Sequence, residues 1–230
     1  MTQIFRDNQQ QHCETWGAME AVQRSIILTE ACRKLAAITS NPDKAQRLFT
    51  HILNQAEHLD QINRLSGATG ETNDLYFAPR GKVMIVGTDQ ADSVPVLGQL
   101  VAALLAGNEV ILRYQRDEAL CDQAITILQQ AGVLEGVMST ANDAELVTLL
   151  HIYRLAVVGL VGSLDEAVEV GQELAQSDGI ITQLVAVTDM AGCHEMFEPE
   201  YIERFTTERV KTVNTTAIGG NASLIELGMG

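Results

Sequence analysis

The chain is 230 residues long and carries 15 basic against 30 acidic side chains, a net charge of −15. That balance argues against nucleic acid or an anionic membrane surface as the partner. Apolar residues make up 46% of the chain, enough for a sizeable core, and no apolar run approaches the roughly 18 residues of a membrane span.

Residues 1 to about 14 are polar and Gln-rich and read as a frayed end without a hydrophobic leader. From Thr15 the pattern turns helical, with Met19, Val22, Ile27, Leu28, Cys32, Leu35 and Ile38 on one stripe. Thr39-Ser40-Asn41-Pro42 breaks it, and Pro42 is suited to the first position of the next helix, where its missing N–H costs nothing. Ala45, Leu48, Phe49, Ile52, Leu53 and Ala56 then recur at helical spacing. The expectation is a helical hairpin over 1–64, followed by a linker loop over 65–80. That linker contains a Gly67-x-x-Gly70 that lacks the strand and Gly-Lys of a phosphate loop.

The body expected over 81–208 opens with a βαβ unit. Val83 to Val86 is a short apolar, β-branched run stopped by Gly87. Asp92 or Ser93 can cap a helix carrying Val94, Leu97, Val101, Leu104 and Leu105, ended by Gly107-Asn108. Glu109 to Arg113 begins a second strand, which the right-handed crossover makes parallel to the first. The alternation continues through a helix at Glu118 to Ala131, a strand at Val137 to Thr140, a short helix at Asp143 to Leu150 and a strand at Leu155 to Val161. Ser163 to Ser177 follows as a helix with Ser163 and Glu166 forming a capping box, then a strand at Ile180 to Val187. The predicted fold class is α/β, a doubly wound, Rossmann-like parallel sheet. Cys193 to Phe205 reads as a helix. Residues 209–230 read as a strand-like tail around Gly219-Gly220-Asn221, added to a neighbouring sheet or folded on its own domain.

Little chemistry is visible. Ligands of such a sheet bind beyond the carboxyl ends of the strands, where Gly162-Ser163 could offer backbone N–H groups to a phosphate or serve simply as turn and cap. No GxGxxG follows the first strand and no GxSxG is present. Cys193 and His194 adjoin in sequence, which does not make them face each other, and His51 and His58 read as one solvated helix face. The five His show no metal spacing, so no metal is expected. The four Cys have no paired spacing, the usage of a reducing compartment, so a cytoplasmic location is expected.

The chain resembles the NAD-binding half of the aldehyde dehydrogenase superfamily. Leu104-Leu105-Ala106-Gly107-Asn108-Glu109-Val110-Ile111-Leu112-Arg113 is similar to its AL(A/L)AGNxVVLK segment, Ala131-Gly132-Val133 to Gly136-Val137 to AGLPxGVV, and Val161-Gly162-Ser163 to TGS. Ser66 to Asn73 and Val213 to Leu224 resemble the proline utilization A family, which joins a flavin proline dehydrogenase to a pyrroline-5-carboxylate dehydrogenase and in its long forms adds an incomplete aldehyde-dehydrogenase-like domain. The resemblance implies NAD contacts at Arg113, Gly162 and Ser163. It also implies docking through Val213, Asn214, Thr215, Thr216, Gly219, Gly220, Asn221 and Leu224, onto the catalytic aldehyde dehydrogenase domain of the same or a longer chain or onto a second copy.

Departures set this sequence apart from an active enzyme. Thr88 to Pro95 lacks the family's oxyanion Asn, Tyr114 replaces a Pro, Arg113 replaces the ribose-contacting Lys, and Leu184 to Asp189 lacks the general-base Glu. After Met190 only about forty residues remain, too few for the domain that carries the nucleophilic Cys. The expectation is a non-catalytic lid or assembly module with no cofactor. The alternative is an NAD-binding portion of a pyrroline-5-carboxylate dehydrogenase.

Overall fold

The computed structural model describes residues 2–142, 149–151 and 154–214, with side chains described from residue 8 onward. At its centre is a parallel sheet of β3 (Lys82–Gly87), β4 (Glu109–Tyr114), β5 (Met138–Thr140), β6 (Leu155–Val161) and β7 (Gln183–Val187) in the order β5-β4-β3-β6-β7. All four neighbouring pairs are parallel. The doubly wound, Rossmann-like fold class is the one observed. Alternate residues of β3 feed opposite faces: Val83 and Ile85 join the larger core, Met84 and Val86 the smaller. Burial on both faces explains why these strands read as continuous apolar runs.

Helix α5 (Ser93–Leu105) is the hub. The sequence pattern marks one apolar face, yet every residue of it is buried, because α2 (Ala21–Ala37) and α3 (Pro42–Leu53) cover the side turned away from the sheet. Asp92 caps α5 by accepting from Val94 N at 2.8 Å, and its carboxylate also accepts from Ser40 Oγ, tying the hairpin turn to the hub. Pro42 opens α3 as predicted, with Asn41 accepting from Lys44 N at 3.1 Å. A short α4 (Ala56–Leu59) follows. Helix α6 (Glu118–Ala131) packs on α2 and β4 and ends at Gly132, whose φ of 112° requires glycine, and α7 (Leu164–Ala175) follows β6 and covers the other face of the sheet.

Three stretches before β3 differ from the sequence reading. Residues before Thr15 are not a frayed end but most of a helix, α1 (Thr2–Ala18). Its support is non-local: Trp16, fully buried, donates from Nε1 to Leu104 O at 3.1 Å, and His12 Nδ1 meets Glu135 O at 2.7 Å. The helical pattern from Thr15 is also not continuous. It breaks at Met19-Glu20, and α2 is capped from outside by Asp60, which accepts from Ala21 N at 2.7 Å and Val22 N at 2.9 Å. The stretch expected to be a linker loop instead holds the end of β1 (Ile62–Leu65) and the whole of β2 (Glu71–Pro79), turned through Gly70 at φ 86°. These strands join β8 (Thr206–Asn214) in an antiparallel sheet of order β1-β2-β8.

Cys193 to Phe205 forms two 3₁₀ turns, His194–Phe197 and Tyr201–Phe205, not one helix. The short helix expected at Asp143 to Leu150 lies mostly outside the described residues. So do Thr215, Thr216, Gly219, Gly220, Asn221 and Leu224 of the tail.

Candidate functional site

The carboxyl ends of β3, β4, β6 and β7 form one edge, and the strand order reverses between β3 and β6. In open α/β sheets that reversal opens the ligand crevice. Here the loops after the two strands close on each other. Thr88 N donates to Val161 O at 3.1 Å, and a Cβ on Gly162 would meet Thr88 Cγ2 at 2.8 Å and Glu166 Oε2 at 2.7 Å. Thr88 Oγ1 is buried there with no partner among the described residues. On the other side of β3, the Tyr114 ring lies over Gly87, where a Cβ would come within 2.5 Å of it, and Tyr114 OH donates to Ala91 O at 2.8 Å.

The N-terminus of α7 is where the sequence places a phosphate or a simple cap. Ser163 N donates to Glu166 Oε2 at 2.7 Å, Ser163 Oγ donates to the same oxygen at 2.9 Å, and Glu166 N donates to Ser163 Oγ at 3.3 Å. The predicted capping box is therefore closed in both directions. Gly162 N is directed to Val187 O at 3.3 Å. The N–H groups of Gly162, Ser163 and Glu166 are thus engaged within the chain, and the Glu166 carboxylate lies at the N-terminus of the helix. A second anion would have to displace Glu166 or share its low-dielectric surroundings with it. As arranged, the Gly162-Ser163 turn is a closed helix cap. Arg113 sits on the same edge, in register with Val86, and is 4% exposed, so it offers little surface to a ribose. Leu164 and Val168, one turn apart on α7, are 68% and 51% exposed beside the box.

Beyond β7, Asp189 accepts from Gly192 N at 2.8 Å through Oδ1 and faces His194 Nδ1 at 2.5 Å through Oδ2. The backbone hydrogen bond from Gly192, then the side-chain hydrogen bond from His194, lowers the Asp189 pKa. Cys193 points the other way: it is fully buried, and burial raises its pKa. Cys193 and His194 do not form a dyad. His51 and His58 are not on one helix face either. His51 lies on α3 beside Gln55 and Phe197, while His58 lies on α4 against Phe77, 2.7 Å from Glu203. Among the described residues no group of His, Cys, Asp or Glu could hold a metal ion.

The second candidate region is the three-stranded sheet. Val213 and Asn214, expected to dock on a partner, pair with Thr72 and Glu71 of their own chain. Leu75 lies opposite Val210, which is 53% exposed, and Leu65, 40% exposed, lies opposite Asn73, two residues along β2. Outer strands β1 and β8 each pair with β2 alone among the described residues. Two contributors escape sequence reasoning here: Thr88 and Tyr114 close the crevice through packing that no motif announces. Glu166 is legible as a capping residue, but that its carboxylate closes the helix N-terminus is a matter of geometry.

No protein-family model matches the chain. It is 31% identical over 213 residues to the bifunctional protein PutA of Escherichia coli K12, an alignment covering 90% of this chain and 14% of that protein. With PutA of Salmonella typhimurium LT2 the identity is 29% over 168 residues, covering 71% of this chain and 11% of the relative. The chain thus spans only a small part of the curated relatives it matches. Among solved structures, Bradyrhizobium japonicum proline utilization A (the D779W mutant) superposes with a TM-score of 0.66 at 24% identity, over 76% of this chain and 20% of that one. An NAD-dependent benzaldehyde dehydrogenase from Corynebacterium glutamicum superposes with a TM-score of 0.63 at 18% identity, over 77% of this chain and 43% of that one. These superpositions establish the fold.

Proposed function

We propose, from the premise that this chain is homologous to a segment of the bifunctional proline utilization proteins and carries the aldehyde-dehydrogenase-type fold, that it is a non-catalytic module of proline catabolism. It assembles with a catalytic pyrroline-5-carboxylate dehydrogenase domain and covers it, instead of oxidising glutamate semialdehyde itself. One observation carries this reading: Glu166 Oε2, 2.7 Å from Ser163 N, fills the anion seat at the edge where this fold takes ligands. The absence of an oxyanion Asn between Thr88 and Pro95 and of a Glu between Leu184 and Asp189 agrees with it. The contribution left to the chain is surface, and the β1-β2-β8 sheet with its exposed Val210 and Leu65 is the docking element.

The test uses the Escherichia coli PutA relative trimmed of the segment homologous to this chain, supplied with the 230-residue chain in trans. The expected results are a one-to-one complex in sedimentation and a shortened lag in coupled conversion of proline to glutamate. Failure to associate, with coupled kinetics unchanged, would contradict the proposal.

A further inference from the structure

A cavity of about 350 Å³ lies on the side of the molecule away from the carboxyl edge, between the elbow joining α1 to α2 and the root of the three-stranded sheet. That volume is at the small end of ligand sites, about 300–1,000 Å³. Its wall includes Arg24, which is only 5% exposed. Three of the five guanidinium N–H groups are engaged: Nε donates to Leu105 O at 2.7 Å, and Nη1 donates to Trp16 O at 3.2 Å and to Met19 O. These acceptors close α1 and α5 at their carboxyl ends, where a cation is favoured. Gly107, at φ 89°, lets its backbone lie flat on the guanidinium; a Cβ there would come within 3.1 Å of Cζ.

The helix-tying role leaves Nη2 over. Its two N–H groups have no partner among the described residues, and Arg24 lines the cavity, so they are free to donate to a ligand there. Only Asp60 offsets the desolvation, which lowers the Arg24 pKa to about 10. Asp60 itself is committed to the amides of Ala21 and Val22. At the mouth, the exposed Glu20 carboxylate has no partner among the described residues, and Tyr76, Phe77 and Ile62 supply an apolar wall.

We infer that this cavity binds a free α-amino acid: its carboxylate accepts from Arg24 Nη2, its ammonium faces Glu20, and its side chain lies on the Tyr76-Phe77 wall. Asp60 beside the buried cation, with Glu20 on the same cavity wall, disfavours a simple anion and favours a zwitterion. Nothing at the carboxyl edge takes part, so the inference does not depend on the proposed function.

The experiment is calorimetric titration of the 230-residue chain with L-leucine, with isocaproate (the same body without the ammonium) and with isoamylamine (without the carboxylate). Leucine is expected to bind at least about tenfold more tightly than either analogue, one charge-assisted pair being worth roughly that factor. Glu20→Gln, on the surface, is expected to cost about tenfold for leucine and nothing for isocaproate. Arg24→Met is expected to abolish both, in protein shown by circular dichroism to be folded. If Arg24→Met does not fold, the Glu20→Gln selectivity decides alone. No heat with leucine at millimolar concentration, or equal binding of all three probes, would overturn the inference.

Discussion

Replacing Glu166 separates what its carboxylate does for the fold from what it does to the anion seat. Glu166→Ala removes two hydrogen bonds, to Ser163 N at 2.7 Å and Ser163 Oγ at 2.9 Å. A charged partner makes such bonds worth about 1.5–3 kcal/mol in burial. Glu166 is half-buried, which discounts the pair to about 1–2 kcal/mol, in line with the loss of a helix cap. At about 2–4 °C per kcal/mol for a chain of this size, the melting temperature should fall by roughly 3–6 °C. Glu166→Gln keeps an acceptor for Ser163 N and loses the charge, so it should fall by less than half as much. Both variants remove a unit charge from the phosphate position. At about 4 Å and an effective dielectric near 20 that charge repels an anion by about 4 kcal/mol before screening. Calorimetric titration with NAD should therefore give no measurable binding to the unaltered chain and weak, millimolar binding to Glu166→Gln. Micromolar affinity of the unaltered chain, or equal behaviour of all three proteins, would refute the claim that Glu166 holds the seat.

Three further outcomes follow from the same geometry. Trp16→Ala empties a fully buried site and deletes the bond to Leu104 O, so urea unfolding should show a loss of about 3–5 kcal/mol and limited proteolysis should release α1 first. Gly159→Ala would place a Cβ 2.7 Å from both Gln99 Oε1 and Ile85 Cδ1, costing about 1–3 kcal/mol by overpacking in the same assay. Asp189 has a lowered folded-state pKa, so it contributes stability above its unfolded value of about 3.9 that is lost as pH falls through the folded value. The melting-temperature gap between the unaltered chain and Asp189→Asn should close as pH falls below about 4, and a gap independent of pH would count against it.

What could be read from the sequence divides by the range of the interactions involved. The βαβ alternation from Val83 to Val187 was legible because each strand is a short apolar run and each cap a local signal: Asp92, Gly132 and the Ser163-Glu166 box all stand where the pattern placed them. Helix α1 was not, because its outer turns are polar and its hold comes from Trp16 reaching Leu104, 88 residues away. Strand β2 was not, because it depends on a partner from the far end of the chain, with Leu75 opposite Val210. The break at Met19-Glu20 escaped because its cap is Asp60, 39 residues on. At the candidate site, Gly162-Ser163 and Arg113 were correctly placed on one edge, but that the Glu166 carboxylate closes the helix N-terminus and Tyr114 overlies Gly87 are facts of packing.

The central claim is that an aldehyde-dehydrogenase scaffold persists here without the groups that attack and polarise an aldehyde. The measurement that tests it most directly follows reduced nicotinamide formation when the purified 230-residue chain is given glutamate semialdehyde and NAD. The account predicts a rate equal to that of buffer alone. Turnover proportional to the concentration of this chain would contradict it.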